Sequence, residues 1–209
     1  MTSSRLLAVF LLAAAVTVSG REFTKPRAAN AVTYPAHDEH PSERVTVAAD
    51  PYDSAQKAAI FKVNWKAYGY LPVYVVVTND GDQPITLTRM KAEWVTLNRS
   101  KIQPATSDDI IRRLSQIKYA DGNPAPLPLP GRGPKAGVSK EVRGEIDAAQ
   151  FQAVAVEPHS TEAGFLFFDV QDIAEPLAGA HLYIEGVRNA DAQELFYFDV
   201  PVDKYLNAK

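Results

Sequence analysis

Two short clusters in this chain have the residue types and spacing that chemistry at a protein site requires. The first is His37-Asp38-Glu39-His40, which places two imidazoles and two carboxylates, a ligand set that suits a transition metal, within four residues. Residues 21–43 around it mix charges, prolines and small residues without the period of a strand or a helix. That pattern favours a flexible, solvated leader, and a flexible leader must lose conformational entropy before it can bind a metal. His37 and His40 are therefore only weak metal candidates.

The second cluster, Ser54-Ala55-Gln56-Lys57, matches the S-x-x-K pattern of penicillin-interacting serine enzymes. Those enzymes also need Ser-Asp-Asn and Lys-Thr-Gly segments, and neither occurs in this chain. A four-residue match arises often by chance. We therefore predict no catalytic residue and no cofactor. An enzyme that uses carboxylates, for example Asp169 and Asp172, or a His-bound metal stays open as an alternative.

Charge is divided unevenly along the chain. Residues 99–143 carry nine Lys or Arg against four acids, whereas residues 144–209 carry twelve acids against three bases. The basic segment could present its cations to an envelope protein or to an anionic surface, without nucleic acid as a partner. It could equally pack over the acidic half of its own chain. The partner-binding candidates are Arg112, Arg113, Arg132 and Lys135.

The N-terminus has the layout of a secretory signal peptide. Arg5 precedes an apolar run over 6–16, and small residues follow up to Gly20. The run is shorter than the ~20 residues of a membrane span, so we expect cleavage, after Gly20, rather than retention as an anchor. The mature protein should then be secreted or periplasmic. The chain has no cysteine, so its stability outside the cell must come from a hydrophobic core.

Short apolar segments with strand periodicity dominate the rest of the chain. Residues 71–78 are apolar on both faces, which indicates a strand inside a packed sheet. The Asp80-Gly81 pair after it is typical of a tight reversal and predicts a hairpin with residues 85–87. Trp65 and Trp94 lie in alternating segments, and we expect both in the core.

The middle of the chain differs from the rest in composition and in periodicity. A cap at 106–107 before residues 110–117 predicts an amphipathic helix, and 138–149 has a second helical pattern. Between them, residues 121–137 hold five prolines and four glycines, which exclude a helix or a central strand. Pro124–Pro130 could be a polyproline ligand, but a stiff spacer is the commoner role of such a segment. We therefore predict a single mostly β domain over 44–209, an antiparallel sandwich with a helical, Pro-rich insertion at 101–150.

Three stretches resemble a known architecture: "GYLPVYVVVTNDGDQPITL", "VEPHSTEAGFLFFDV" and "LYIEGVRNADAQELFYFDVPV". They are similar to the immunoglobulin-like sandwich of many secreted or periplasmic bacterial proteins of unassigned function. The resemblance covers about 70–100 and 151–202, and it departs at the insertion. It implies an immunoglobulin-like fold and export, and it supplies no active-site residue.

These observations favour an exported, non-catalytic binding module whose insertion forms the contact surface, because recognition on rigid scaffolds usually lies in such insertions. Two alternatives remain. One is the metal- or carboxylate-dependent enzyme, and the other is an assembly component that pairs an exposed edge strand with another chain.

Overall fold

The structure is a computed structural model that describes residues 23–120 and 138–207, with no side chains described for 117–120. The predicted signal peptide and the segment 121–137 lie outside the described residues. The fold is mostly β, as the sequence predicts, and its strands pair in antiparallel fashion. The strands are β1 His37–His40, β2 Val45–Pro51, β3 Tyr70–Asn79, β4 Ile85–Thr86, β5 Lys91–Val95, β6 Lys101–Ile102, β7 Ala155–Val156, β8 Ser160–Asp169, β9 His181–Glu185 and β10 Phe198–Pro201. The helices are α1 Ala55–Ala58, α2 Ser107–Ala120, α3 Lys140–Ala149 and α4 Asp203–Leu206, with 3₁₀ turns at Ala31–Thr33 and Trp65–Tyr68.

Two four-stranded sheets form the body of the domain. The first has the order β1-β2-β3-β8 and the second β10-β9-β5-β6, while β4 and β7 make a two-stranded ribbon. One apolar cluster lies between the sheets and includes Val75 of β3, Trp94 of β5 and Leu182 of β9. A second cluster lies on the other side of the first sheet and includes Tyr74 and Val76 of β3, Ile110 of α2 and Ile146 of α3. The molecule therefore has three layers, and the helices of the insertion form the outermost one.

Strand β3 is buried along its whole length, which accounts for its apolar residues on both faces. Both of its edges are occupied, by β2 on one side and β8 on the other. The predicted hairpin between 71–78 and 85–87 is therefore wrong, because β4 pairs with β7 instead. Gly81 does not adopt a positive φ. The Asn79 side chain fixes this turn, since its amide donates to the carbonyls of Gln83 (2.8 Å) and Val156 (3.1 Å).

Two further stretches differ from the sequence prediction. Residues 21–43, predicted as a flexible leader, are not one: His37–His40 pairs with β2, and the main-chain N–H of Ala31 donates to the Thr78 hydroxyl at 2.8 Å. The alternating segment around Trp65, a pattern typical of a strand, ends instead in a 3₁₀ turn that Gly69 closes at φ 74°. Both tryptophans are core residues, as predicted, with 2% exposure at Trp65 and 0% at Trp94.

The two ends of the insertion cover the outer edge of β8. Ala105 N–H donates to the carbonyl of Phe167 (2.7 Å), and Phe151 N–H donates to that of Phe165 (3.0 Å). An uncovered edge of this length would offer free backbone groups to another chain. The insertion therefore covers the β8 edge of the first sheet. An assembly component that pairs this edge with another chain would need it to be open.

Gly164 makes this edge cover fit, and its replacement tests the arrangement. A Cβ at Gly164 would clash with the main chain of Phe151, whereas one at Gly144 on α3 would meet nothing within 4 Å. We expect Gly164→Ala to lower the free energy of unfolding by about 2 kcal/mol, since backbone must shift. The control Gly144→Ala should raise it by about 0.5–1 kcal/mol, because alanine favours the helix. Urea denaturation of both variants measures these values, and a neutral Gly164→Ala would contradict the close approach.

Candidate binding site

Helix α2 positions the two candidate arginines that the structure describes. The Thr106 hydroxyl accepts from Asp109 N–H (3.2 Å) and donates to the Asp109 carboxylate (2.7 Å), a reciprocal cap of the kind that the sequence predicts here. Ile110 and Leu114 are buried against the first sheet. This rotation of the helix leaves Arg112 in solvent, with its side chain 66% exposed.

Arg113 is held by the body of the domain. Its guanidinium pairs with Asp169 at the end of β8 and lies 4.6 Å from the ring centroid of Tyr70. The hydrogen bond from Arg113 holds the pKa of Asp169 below its usual value. With 24% of its side chain exposed, Arg113 fastens α2 to the first sheet. Asp169, one of the two carboxylates considered for an enzyme, is therefore the ion-pair partner of Arg113.

Arg112 is less constrained. It pairs with Asp109 one turn earlier on α2, and exposed pairs of this kind contribute little to stability. The pKa of Asp109 is lowered first by the hydrogen bonds from Thr106 and only then by Arg112. Arg112 can therefore leave Asp109 for another acceptor at small cost.

Both arginines line an open cleft of about 480 Å³ between α2 and the chain that leads into it. Two cations, Arg112 and Arg113, face two anions, Asp109 and Asp169, so the charge of the cleft is balanced. Donors and acceptors of both kinds line one concave surface, which suits a ligand with mixed polar groups better than a purely anionic one. The other lining residues include Tyr70, Gln103, Thr106 and Gln116.

The other sequence candidates do not join this cleft in the described structure. Arg132 and Lys135 lie outside the described residues. His37 and His40 lie on β1, where His37 Nδ1 is 2.6 Å from the Tyr34 carbonyl oxygen. His40 Nδ1 lies 2.8 Å from a Glu43 carboxylate oxygen, and its ring stacks on Phe198 at 4.1 Å. Within 23–120 and 138–207, no three His, Cys, Asp or Glu residues gather as metal ligands.

The S-x-x-K match is a helix cap. The Ser54 hydroxyl accepts from the main-chain N–H of Lys57 at the start of α1. The ammonium of Lys57 pairs with Asp50 and lies 4.4 Å from the ring centroid of Tyr205. Lys57 therefore joins β2 to the C-terminal helix α4. Burial and a hydrogen bond to Asp53 raise the pKa of Tyr205 well above its usual value.

A larger cleft of about 720 Å³ opens beside α1 and shares Tyr70 with the first cleft. Its floor includes Trp65, Leu71 and Leu177. Two of its polar residues make local caps, because Ser54 caps α1 and Asn64 caps the 3₁₀ turn after it. The volume of this cleft is sufficient for a small ligand.

Sequence reasoning missed Glu145, the most buried charged side chain among the described residues, with 3% exposure. Its carboxylate accepts from the main-chain N–H of Lys62 at 2.9 Å and so ties α3 to the loop before Trp65. Burial raises the pKa of Glu145 above its usual value, and the hydrogen bond from Lys62 lowers this pKa by a smaller amount. Its position beside Ile146 on the apolar side of α3 is the signal that the sequence contained.

Comparisons with known proteins do not identify the chain. No family model matches it, and no curated protein matches it. A crystal structure described as a conserved hypothetical protein from Bacillus anthracis is similar over 78% of this chain and 89% of that one. The identity is 11% and the TM-score is 0.33, and this similarity is too low to indicate a shared fold or function. No helix in the described parts of the chain is long and apolar enough to cross a membrane.

Glu145 provides a test of how the insertion is attached. Because its folded pKa is raised, its contribution to stability is present below the unfolded value of about 4.3 and is lost as pH rises through the folded pKa. We expect Glu145→Gln to remove this loss, so that the stability of the variant relative to the wild type increases over the range that runs upward from the unfolded pKa of about 4.3. Denaturant titrations across that range measure the difference.

Glu141 on the same helix is the matched control, because hydrogen bonds lower its pKa. Its contribution is present above the unfolded pKa and is lost as pH falls, so Glu141→Gln should show the opposite trend. Glu145→Ala should cost about 1–3 kcal/mol at low pH, since the Lys62 N–H loses its acceptor, and this cost should shrink as pH rises through the folded pKa of Glu145. Parallel pH profiles for the wild type and Glu145→Gln would mean that Glu145 is not desolvated in the folded protein.

Proposed function

We propose that this protein is an exported, non-catalytic binding module with an immunoglobulin-like sandwich, and that the cleft beside α2 contacts a protein partner. The observation that carries this proposal is the placement of Arg112. It lies on a rigid helix at the rim of a concave polar surface, with a side chain that is 66% exposed. Recognition surfaces are commonly built in this way, from an insertion on a stable scaffold.

Export and location in the periplasm or outside the cell rest on the N-terminal sequence alone, from Arg5 to Gly20. The immunoglobulin-like topology rests on the resemblance of three sequence stretches. The two antiparallel sheets and their shared apolar cluster are compatible with it.

The balanced charge of the cleft indicates which class of partner it can bind. A purely anionic surface would be attracted to Arg112 and Arg113 but repelled by Asp109 and Asp169 beside them. A protein segment that carries both a carboxylate and an amine or amide can pair with both signs. We therefore favour an envelope protein over an anionic polymer or membrane surface as the partner at this cleft.

Reversing the charge of Arg112 tests this assignment. The bait is the processed full-length protein, and the captured proteins come from an envelope extract of the native host. Arg112→Glu should reduce recovery of a specific partner about tenfold, since Asp109 would then face a second anion. Quantitative mass spectrometry of the captured fractions measures the recovery.

Arg89 offers a matched control, because it is exposed and lies between β4 and β5, away from the cleft lining. Arg89→Glu makes the same change of charge and should leave recovery of the partner unchanged. An equal loss of partner recovery with both variants would mean that the change in net charge, and not the cleft, causes the effect. Equal recovery by all three baits, or no specific partner at all, would overturn the proposed site.

A further inference from the structure

Helix α3 is held on the body of the domain by a carboxyl group that is shielded from water. Glu145 is buried on the same side of the helix as Ile146 and Ala149. Its Oε2 accepts from the main-chain N–H of Lys62 at 2.9 Å. Its Oε1 is also buried and makes no hydrogen bond to any residue that the structure describes. One of the two carboxyl oxygens therefore lacks a partner at this contact.

A carboxyl group in this position is tolerated better when it is neutral than when it is ionised. The desolvation of a carboxylate is expensive unless hydrogen bonds or a cation satisfy it. Burial accordingly raises the pKa of Glu145, and the main-chain N–H groups of Lys62 and Val63 lower this pKa by smaller amounts. The contact between α3 and the loop before Trp65 is therefore most favourable while Glu145 carries its proton.

The charged groups around this contact do not neutralise the ionised form. The charge of Lys62 lowers the pKa of Glu145, but the two side chains form no ion pair in the described structure. Burial raises the pKa of Tyr70 and Tyr74 on β3, so both stay neutral where Glu145 titrates. The remaining charged groups of α2 and α3 are exposed or have partners of their own: Arg112 with Asp109, Arg113 with Asp169, Arg143 with the Val138 carbonyl, and Glu141 in solvent.

Helix α3 is also easy to detach. It has 10 residues, and helices of this length are marginal in water without packing. Gly144 lies in its interior and weakens it further, although a Cβ there would meet nothing within 4 Å. The chain after the helix is anchored, because Phe151 N–H donates to β8. Helix α3 can therefore leave the loop and unwind while the chain that follows it stays in place.

We propose that α3 is a pH-sensitive flap, closed on the loop before Trp65 while Glu145 is neutral and released when Glu145 ionises. Release breaks the hydrogen bond between Glu145 and the loop and exposes apolar residues of the second cluster, such as Phe61 and Ile146. The two sheets stay paired, so this opening is local. The flap does not depend on the function proposed for the cleft beside α2.

Hydrogen exchange, followed by NMR on the processed full-length protein from about pH 4 to about pH 8, tests the proposal. Protection factors correct for the intrinsic pH dependence of exchange and report how often each amide opens. Those of Lys62 and Arg143 should be at least about tenfold lower than those of β3, because the flap opens without the sheets. They should also fall several-fold as pH rises above about 4.3, the pKa of an exposed Glu, and level off above the folded pKa.

Three variants separate the role of Glu145 from other effects. Glu145→Gln cannot ionise, so the protection factor of Lys62 should stay constant with pH within about twofold. Glu141→Gln on the same helix is the matched control and should retain the fall of the wild type, because Glu141 is exposed. Gly144→Ala should raise the protection factors of α3 about two- to fivefold at every pH, since alanine favours the helix.

Three outcomes would overturn the proposal. If the amides of α3 are as protected as those of β3, α3 opens only with the whole domain. If the wild-type factors stay constant with pH, or if their fall persists in Glu145→Gln, ionisation of Glu145 does not release the helix. The first two outcomes need only the wild-type protein and are decided even if Glu145→Gln does not fold.

Discussion

The burial of β3 on both faces is the constraint on which the rest of this structure depends. Its Val73, Val75 and Val77 face the second sheet, while Tyr74 and Val76 face away from it. A sheet with two apolar faces needs a cover on each side. The second sheet covers one face, and the helices of the insertion with the N-terminal segment cover the other. The insertion is therefore a structural layer as well as a candidate surface.

This double role separates the cations of the insertion into two kinds. Arg113 stacks on Tyr70 and pairs with Asp169, so its charge is used within the domain. Arg112, one residue earlier, points to solvent because the helix turns by about 100° per residue. The two interpretations of the basic segment, packing on its own chain and contact with a partner, thus apply to adjacent residues of the same helix.

The features that the sequence predicts correctly are local. The apolar run of β3, the cap of α2 at Thr106 and the burial of Trp65 and Trp94 all follow from neighbouring residues or from periodicity. The wrong predictions concern partners that are distant in the chain. A tight-turn sequence at Asp80-Gly81 does not reveal that β2 and β8 already occupy both edges of β3. The mixed composition of 21–43 likewise hides a strand, because β1 takes its order from β2.

The candidate sites show the same limit. Arg113 and Asp169 are 56 residues apart, and Lys62 and Glu145 are 83 apart, so no motif joins either pair. The sequence could suggest that arginines of the insertion matter, but only the fold shows that the side chain of Arg112 is exposed while that of Arg113 is held against the domain.

The pairing of β3 with β8 also has a consequence for how the chain reaches its native state. Tyr70 pairs with Asp169 and Asn79 with Ser160, contacts that span about 80 to 100 residues. Strand β3 therefore cannot pair with β8 until most of the chain is available. Such non-local pairing makes folding slow. During that interval β3 is a hydrophobic segment of high β propensity with one unpaired edge. The edge of β3 therefore stays open to pairing with other chains until residues 160–169 fold onto it.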